Sequence, residues 1–137
     1  MPLDGGRSAI RSATPYLIVR NAPAAIRFYE AAFGARETIR IVGEDGRVGH
    51  AELRIGEGIV FVADEHPETE NIVGPETLGG TSVIVDLEVG DVVGVYERAM
   101  EAGARTIREP ERPDTGVQSA KVVDPFGHAW LITRVAE

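Results

Sequence analysis

The chain has 137 residues, of which 43% are hydrophobic and 26% are charged, with a formal net charge of −8. This length suits one well-buried domain and is too short for two ordinary ones. Cysteine is absent, which excludes disulfides, thiolate zinc sites and cysteine nucleophiles. The acidic balance argues against nucleic acid as a partner. No apolar stretch approaches the roughly 18 residues of a membrane helix, so no membrane partner is predicted.

Residues 1–13 are predicted to be a loosely held N-terminal arm. The arm contains Asp4, Arg7 and Arg11 and lacks the apolar centre of a signal peptide, which predicts a cytoplasmic protein.

The first half of the chain is predicted to form a strand, a helix and three further strands. The first strand covers Tyr16–Arg20, where apolar side chains alternate. The helix follows Asn21, a plausible N-cap, and ends at Gly34, which suits a left-handed C-terminal cap. Its apolar stripe, predicted to be core, consists of Ala25, Ile26, Tyr29 and Phe33. The later strands are predicted at Arg36–Val42, Arg47–Ile55 and Ile59–Asp64.

The second half repeats this pattern after an acidic linker. Asp64 to Gly80 carries five acidic residues without Lys or Arg, so residues 65–80 are predicted to be a solvated linker that includes His66. A strand at Ser82–Val89 places Val83, Val85, Leu87 and Val89 on one face. The next helix starts after Asp91, ends at Gly103 and has a core stripe of Val92, Val95, Tyr96 and Ala99. The last strands are predicted at Arg105–Glu109, Val117–Val123 and His128–Val135.

An internal repeat supports this division. Phe28-Tyr29-Glu30-Ala31-Ala32-Phe33-Gly34-Ala35-Arg36-Glu37-Thr38-Ile39-Arg40 matches the run from Val95 to Arg108 with one gap. The fold class is therefore predicted to be α+β, with two tandem βαβββ modules over residues 14–64 and 81–135.

Three motifs resemble the glyoxalase/bleomycin resistance protein/dioxygenase (vicinal oxygen chelate) superfamily, and its PhnB-like branch in particular. They are the strand–cap–helix run Val19–Tyr29, the run His50–Gly56, and Asp124-Pro125-Phe126-Gly127-His128-Ala129-Trp130. The resemblance implies one domain over residues 14–135, whose mixed, curved sheets form a groove. In this motif His128 is expected to pack or to hydrogen-bond, and Trp130 to lie in the core with a partner for its indole N–H.

Enzymes of this superfamily hold a divalent metal in the groove with four His, Gln or Glu side chains. The resemblance places these positions near Thr14, Phe61, Ile84 and Leu131. Thr is a poor ligand for such a metal, and the other three side chains have no donor atom. The expectation is therefore a protein with no metal at this site and no cofactor.

Strand alternation predicts which side chains face the groove, and the resemblance places Phe61 and Leu131 there. The candidate ligand-binding residues are Tyr16, His50, Glu52, Arg54, Phe61, Asp86, Glu88 and Leu131. They would form one amphipathic, acid-bearing cleft, although a slip of one residue in register would reverse every assignment. Alternatively, the carboxylates form ordinary solvated strand faces or pair with Arg40 and Arg54 at a subunit contact. No catalytic residue is assigned.

Three functions remain open from the sequence. The first is a metal-free binding protein that sequesters or carries a small organic molecule, cationic or aromatic, in its groove. The second is a glyoxalase-like lyase or isomerase for a small carbonyl compound, in which His50 and Glu52 act with an unconventional metal or none. The third is a dimer with no ligand. A homodimer is expected in which grooves lie near the subunit contact, whether the modules pair within one chain or between chains.

Overall fold

The computed structural model describes residues 7–69, 71–111 and 116–135. Module one contains β1 (Tyr16–Val19), α1 (Ala22–Phe33), β2 (Arg36–Val42), β3 (Val48–Ile55) and β4 (Gly58–Asp64). A short helix, α2 (Pro75–Leu78), lies in the linker. Module two contains β5 (Ile84–Glu88), α3 (Val92–Ala102), β6 (Arg105–Glu111), β7 (Val117–Val123) and β8 (Ala129–Val135).

The two modules share one sheet topology. Sheet one has the strand order β1-β4-β3-β2 and sheet two the order β5-β8-β7-β6. In each sheet the strand before the helix is parallel to the last strand of the module, and the other pairs are antiparallel. The predicted α+β fold with two tandem βαβββ modules is confirmed. No helix among the described residues is long and apolar enough to cross a membrane.

All four predicted helix caps are present. The side chain of Asn21 accepts a hydrogen bond from Ala24 N at 3.1 Å, and that of Asp91 accepts one from Gly94 N at 3.0 Å. These bonds satisfy backbone donors that the first helical turn leaves unpaired. Gly34 and Gly103 end the helices with φ angles of 67° and 119°, the left-handed conformation that glycine adopts without a steric cost.

The helix-facing sides of both sheets contribute to one core. Its strand residues include Leu17, Val19, Leu53, Val62, Val122, Trp130 and Ile132. Helices α1 and α3 pack against each other, so each groove face lies on the side of its sheet away from this core. One assignment was wrong: Val83 precedes β5 and is 62% exposed instead of lying on the core face.

A buried carboxylate joins the two modules. Tyr29 Oη of α1 donates to Asp124 Oδ2 at 2.5 Å, and Trp130 Nε1 donates to the same oxygen at 2.9 Å. Asp124 Oδ1 accepts from the backbone N–H groups of Phe126 and His128. Burial, reinforced by the neighbouring Asp124 charge, raises the pKa of Tyr29 well above its ordinary value. The core position of Trp130 and the need for an indole partner are confirmed.

The linker is exposed along most of its described length, as the sequence predicted, but it is also bound to module one. Glu65 Oε1 accepts hydrogen bonds from Gly74 N at 2.8 Å and from Thr77 Oγ1 at 2.5 Å. Gly74 and Pro75 are buried, and a Cβ at position 74 would collide with the backbone carbonyl oxygen of Ile18. The linker therefore packs on the end of β1. His128 makes a further contact at this end of β1, since its Nε2 lies 2.9 Å from Ile18 O. This agrees with the expectation that His128 packs or forms a hydrogen bond.

Candidate functional site

Four of the predicted site residues form one cluster on the groove face of sheet one. The ring of Phe61 lies 5.4 Å from that of Tyr16 and 4.8 Å from that of His50, measured between centroids. Tyr16 Oη is 2.6 Å from His50 Nδ1, and His50 Nε2 is 3.0 Å from Glu52 Oε2. We call these four residues the Tyr16 cluster.

Strand register explains why these side chains meet. In the parallel pair Tyr16 lies opposite Phe61, and in the adjacent antiparallel pair Phe61 lies opposite Glu52. Residues directly opposite in paired strands point to the same side of a sheet, and so do residues two apart on one strand. His50 therefore joins the same surface. Arg54 lies at the exposed end of this face, two residues beyond Glu52.

The hydrogen bonds of the Tyr16 cluster run in one direction. Burial, followed by the charge of Glu52, raises the pKa of the Tyr16 phenol, so the phenol keeps its proton at neutral pH and donates it to Nδ1 of His50. The Nε2 of that imidazole then carries hydrogen and donates to Glu52. The free lone pairs of the Tyr16 oxygen and of the Glu52 carboxylate are acceptors, which suit a ligand with an N–H or cationic group.

A cavity of about 1010 Å³ opens beside the Tyr16 cluster. Tyr16, Ile18 and Ala63 line it from sheet one. The hairpin turn between β2 and β3 and the linker form the other side, which includes Asp45, Arg47, His66, Thr69, Asn71, Ile72 and Val73. The cavity lies at the linker end of the groove face, and of the predicted site residues it includes Tyr16 alone.

The remaining predicted residues lie on sheet two. Asp86 and Leu131 are opposite each other in the register, and Asp86 Oδ1 accepts a hydrogen bond from Thr133 Oγ1 at 3.0 Å. Glu88 is exposed two residues further along β5. Within the described part of one chain, no hydrogen bond, ion pair or ring contact joins these residues to the Tyr16 cluster. The expected single cleft therefore appears as two separate surfaces in one chain.

A second cavity, of about 520 Å³, lies between the modules. Asp86 and Glu88 border it together with the partly buried ring of Phe33, the buried ring of Trp130 and the turn between β3 and β4. The two carboxylates are thus at the seam between the modules rather than beside Glu52.

Sequence reasoning missed the polar residues of the larger cavity. Arg47 Nε donates to Asp45 Oδ2 at 2.8 Å, and Arg47 Nη2 donates to Glu68 Oε2 at 2.6 Å. His66, expected to be solvated, has Nε2 3.1 Å from Arg47 Nη2 and a buried Nδ1 that has no hydrogen-bond partner among the described residues. The sequence placed Arg47 at the start of the predicted strand Arg47–Ile55 and gave no signal for these bonds, because linker contacts leave no periodic pattern.

The positions that correspond to metal ligands in the superfamily do not fit a metal. Phe61 and Leu131 lie on the two groove faces, and Ile84 lies on the groove face of sheet two, opposite Ala129. Across residues 7–69, 71–111 and 116–135 there is no group of three His, Asp or Glu side chains that could hold a metal ion.

Comparison with known proteins agrees with this architecture. Residues 10–132 match the model of the Glyoxalase/Bleomycin resistance protein/Dioxygenase superfamily. An uncharacterised protein of Mycobacterium bovis is 40% identical over 121 residues, which cover 87% of this chain and 80% of that protein. The crystal structure of TioX from Micromonospora sp. ML1 matches with a TM-score of 0.68 and 27% identity, covering 92% of this chain and 97% of TioX. An Arabidopsis thaliana gene product matches with a TM-score of 0.70 and 25% identity, covering 90% of this chain and 98% of the other.

Proposed function

Because the chain belongs to the glyoxalase/bleomycin resistance protein/dioxygenase superfamily, we propose that it is a metal-free binding protein for a small organic molecule. The ligand is aromatic, cationic or both, and the Tyr16 cluster binds it on the groove face of sheet one. The protein acts in the cytoplasm. It belongs to the PhnB-like branch of the superfamily, and the run His50–Gly56 and the motif Asp124–Trp130 support this branch assignment.

The observation that carries this proposal is the Tyr16 cluster itself. Three rings stand edge-on or tilted to one another beside a carboxylate. They lie on the face of the sheet that points away from the core, so packing of the core does not require them. Aromatic rings supply apolar contact area at fixed geometry, and the carboxylate supplies charge. A concave, mostly apolar surface with a few convergent polar groups is the usual form of a small-molecule site.

The binding unit is a homodimer. Ile39, Ile41 and Ile84, which lie on the two groove faces, are 43%, 57% and 46% exposed in one chain. Exposed apolar surface of this kind is unfavourable in water. Placing sheet two of a second copy over sheet one would cover it and would bring Asp86 or Glu88 towards Glu52. Light scattering should give the mass of a dimer at micromolar concentration, and a monomer would refute the assembly.

A matched dye series tests the ligand chemistry. At pH 7.5, 9-aminoacridine is cationic, acridine is neutral and acridine-9-carboxylate is anionic, while the ring system is shared. Fluorescence titration should rank their affinities in that order. Glu52→Gln should weaken 9-aminoacridine by about two- to fivefold, the value of a partly exposed charge pair. Glu97→Gln on the exposed side of α3 is the control. Equal affinities across the series, or an unchanged Glu52→Gln variant, would refute the proposed site.

The hydrogen-bond chain from Tyr16 through His50 to Glu52 favours a second candidate. A phenol, an imidazole and a carboxylate in series can exchange a proton with a carbonyl substrate, as a lyase or isomerase requires. Metal analysis of untagged protein, purified without chelator, separates the binding protein from a metal-dependent form of this enzyme. A stoichiometric metal that is lost in His50→Ala would favour the metal-dependent enzyme, and well below one equivalent would exclude it.

A further inference from the structure

The linker forms one wall of the cavity beside the Tyr16 cluster. Ile18 and Ala63 provide apolar surface from sheet one, and Ile72 and Val73 provide it from the linker, across a cavity of about 1010 Å³. We call residues 65–69 and 71–73 the linker wall. The wall has its own internal bonds, since His66 N donates to Ile72 O at 2.8 Å and Thr69 N donates to His66 O at 3.0 Å.

Arg47 fastens one end of the linker wall to the hairpin turn between β2 and β3. Its Nη1 donates to the backbone oxygen of Glu65 at 3.2 Å, and its Nη2 donates to Glu68 at 2.6 Å. The Nε donates to Asp45 of the turn at 2.8 Å. One guanidinium therefore holds both sides of the cavity together, which a planar group with five donors is suited to do.

Glu65 joins the first residue of the linker wall to the chain just beyond its last residue. Its carboxylate accepts from Gly74 N and Thr77 Oγ1, and the hydroxyl of Thr77 also lies 3.3 Å from Arg20 Nη2 at the end of β1. Apart from its bond to the backbone oxygen of Glu65, Arg47 holds the wall through ion pairs between partly exposed side chains. Such pairs contribute little each and break readily, so the part of the wall around Glu68 is the part that can open.

The cavity also restricts the chemistry of its occupant. Its volume is at the upper end of the range of about 300–1,000 Å³ that holds drug-sized ligands. Both oxygens of Asp64 are occupied by the backbone N–H groups of Ala22 and Val48, and Arg47 is paired with acids. The free polar group on the sheet side is the Tyr16 hydroxyl oxygen, an acceptor.

We infer that the linker wall encloses the ligand and that Arg47 is the latch that controls its exit. The ligand is then a drug-sized, mostly apolar molecule whose body lies under Ile72 and Val73 and whose N–H or cationic group reaches Tyr16. This inference rests on the proposed function, which it extends by assigning the linker to the site.

The latch is tested by the kinetics of 9-aminoacridine release. Stopped-flow dilution should show a dissociation rate constant about three- to tenfold higher in Arg47→Met than in the native protein, because affinity changes act mostly through dissociation. Arg40→Met is the matched control: Arg40 forms an ion pair of the same 2.6 Å length with Glu37 in β2, and it does not line the cavity. Equal rates in both variants would overturn the latch.

The wall is tested independently by two valine truncations. Val73→Ala should weaken 9-aminoacridine, whereas Val93→Ala on the exposed side of α3 should not. Chemical shifts of the bound protein should move at Ile72 and Val73 as well as at Tyr16. If the dye binds and depends on Glu52 but neither Arg47→Met nor Val73→Ala changes its binding, the inference fails and the proposed function stands. If none of the three acridines binds, both fail.

Discussion

The two modules have the same topology and the same helix caps, yet their groove faces differ. Sheet one carries Tyr16, His50 and Phe61 with Glu52. On sheet two the corresponding surface has the Asp86–Thr133 hydrogen bond beside Leu131. The two modules are therefore alike at the positions that form strands, helix caps and core. They differ at positions that the fold does not require, and side chains at those positions are available to bind a ligand.

The last turns of the modules differ as well. Between β3 and β4, Gly56, Glu57 and Gly58 are exposed. Between β7 and β8, Asp124 is buried and binds Tyr29 of the other module. Module two therefore organises the joint core, whereas module one carries the candidate site.

Removing Trp130 should have the largest effect. Trp130→Ala empties a fully buried site and removes a donor to Asp124, so we expect a loss of about 3–5 kcal/mol in the free energy of unfolding. Val60→Ala, on the core side of β4 in module one, should cost less. Urea denaturation measures both. A loss below about 1 kcal/mol for Trp130→Ala would contradict its place at the centre of the core.

Crowding at Gly74 should have the next largest effect. The new methyl group of Gly74→Ala would meet the backbone of Ile18, and overpacking of this kind costs about 1–3 kcal/mol. The control is Gly90→Ala after β5, where a Cβ would meet open space. A thermal melt in which the two variants have equal stability would show that the linker does not pack on β1 as described.

The two groove faces should also differ in how much their carboxylates contribute to binding. Glu52→Gln and Asp86→Asn should each weaken 9-aminoacridine, and Asp86→Asn less, because Glu52 belongs to the Tyr16 cluster, whereas Asp86 would approach the ligand only from a second copy of the chain. Both losses should shrink at high salt, since exposed charge pairs are screened. Titrations at two salt concentrations measure this. Salt-independent losses would indicate a structural rather than an electrostatic role.

The smallest change in stability is expected at acidic pH, where the ion pair between Arg47 and Glu68 is lost. The bond from Arg47 lowers the pKa of Glu68 from 4.5 to about 2, and Asp45 and His66 share the same surroundings. A lowered pKa in the folded state means that the pair contributes stability above pH 4.5, which is lost as the pH falls to about 2. NMR titration of the Glu68 carboxyl carbon should give this low midpoint, and Arg47→Met should raise it towards 4.5. An unchanged midpoint would show that the pair does not form.

Local pattern predicted much of the fold and part of the site. Helix caps depend on contacts within one helical turn, as at Asn21, Asp91, Gly34 and Gly103. Strand alternation depends on residues two apart. Both the caps and the strand faces can therefore be predicted from residues that are close in the sequence. Alternation also placed Tyr16, His50 and Glu52 on the groove face, and the family resemblance added Phe61. It could not place Asp86 relative to Glu52, because the mutual arrangement of two sheets has no period in the chain.

The bonds that anchor the linker were missed for a related reason. Its acidic composition indicated solvation, and most of the described linker is exposed. That Thr77 and Arg47 bind Glu65 and Glu68 could not be read from composition, because such pairings follow from the tertiary fold. The strand β6 likewise extends two residues past its predicted end to Glu111 and includes Pro110, which lies on an edge strand where a missing N–H is tolerated.

The bond from Tyr29 to Asp124 has a consequence for biosynthesis. The two residues are 95 positions apart in the chain, so α1 leaves the ribosome long before the carboxylate that completes its environment. Until the last turn emerges, the phenol and the apolar face beneath Trp130 lack their native cover, and long-range closure of this kind is slow. A nascent chain whose Asp124 is still inside the ribosome should therefore be a strong client for chaperones, and one in which residues up to Val135 have left the ribosome a much weaker one.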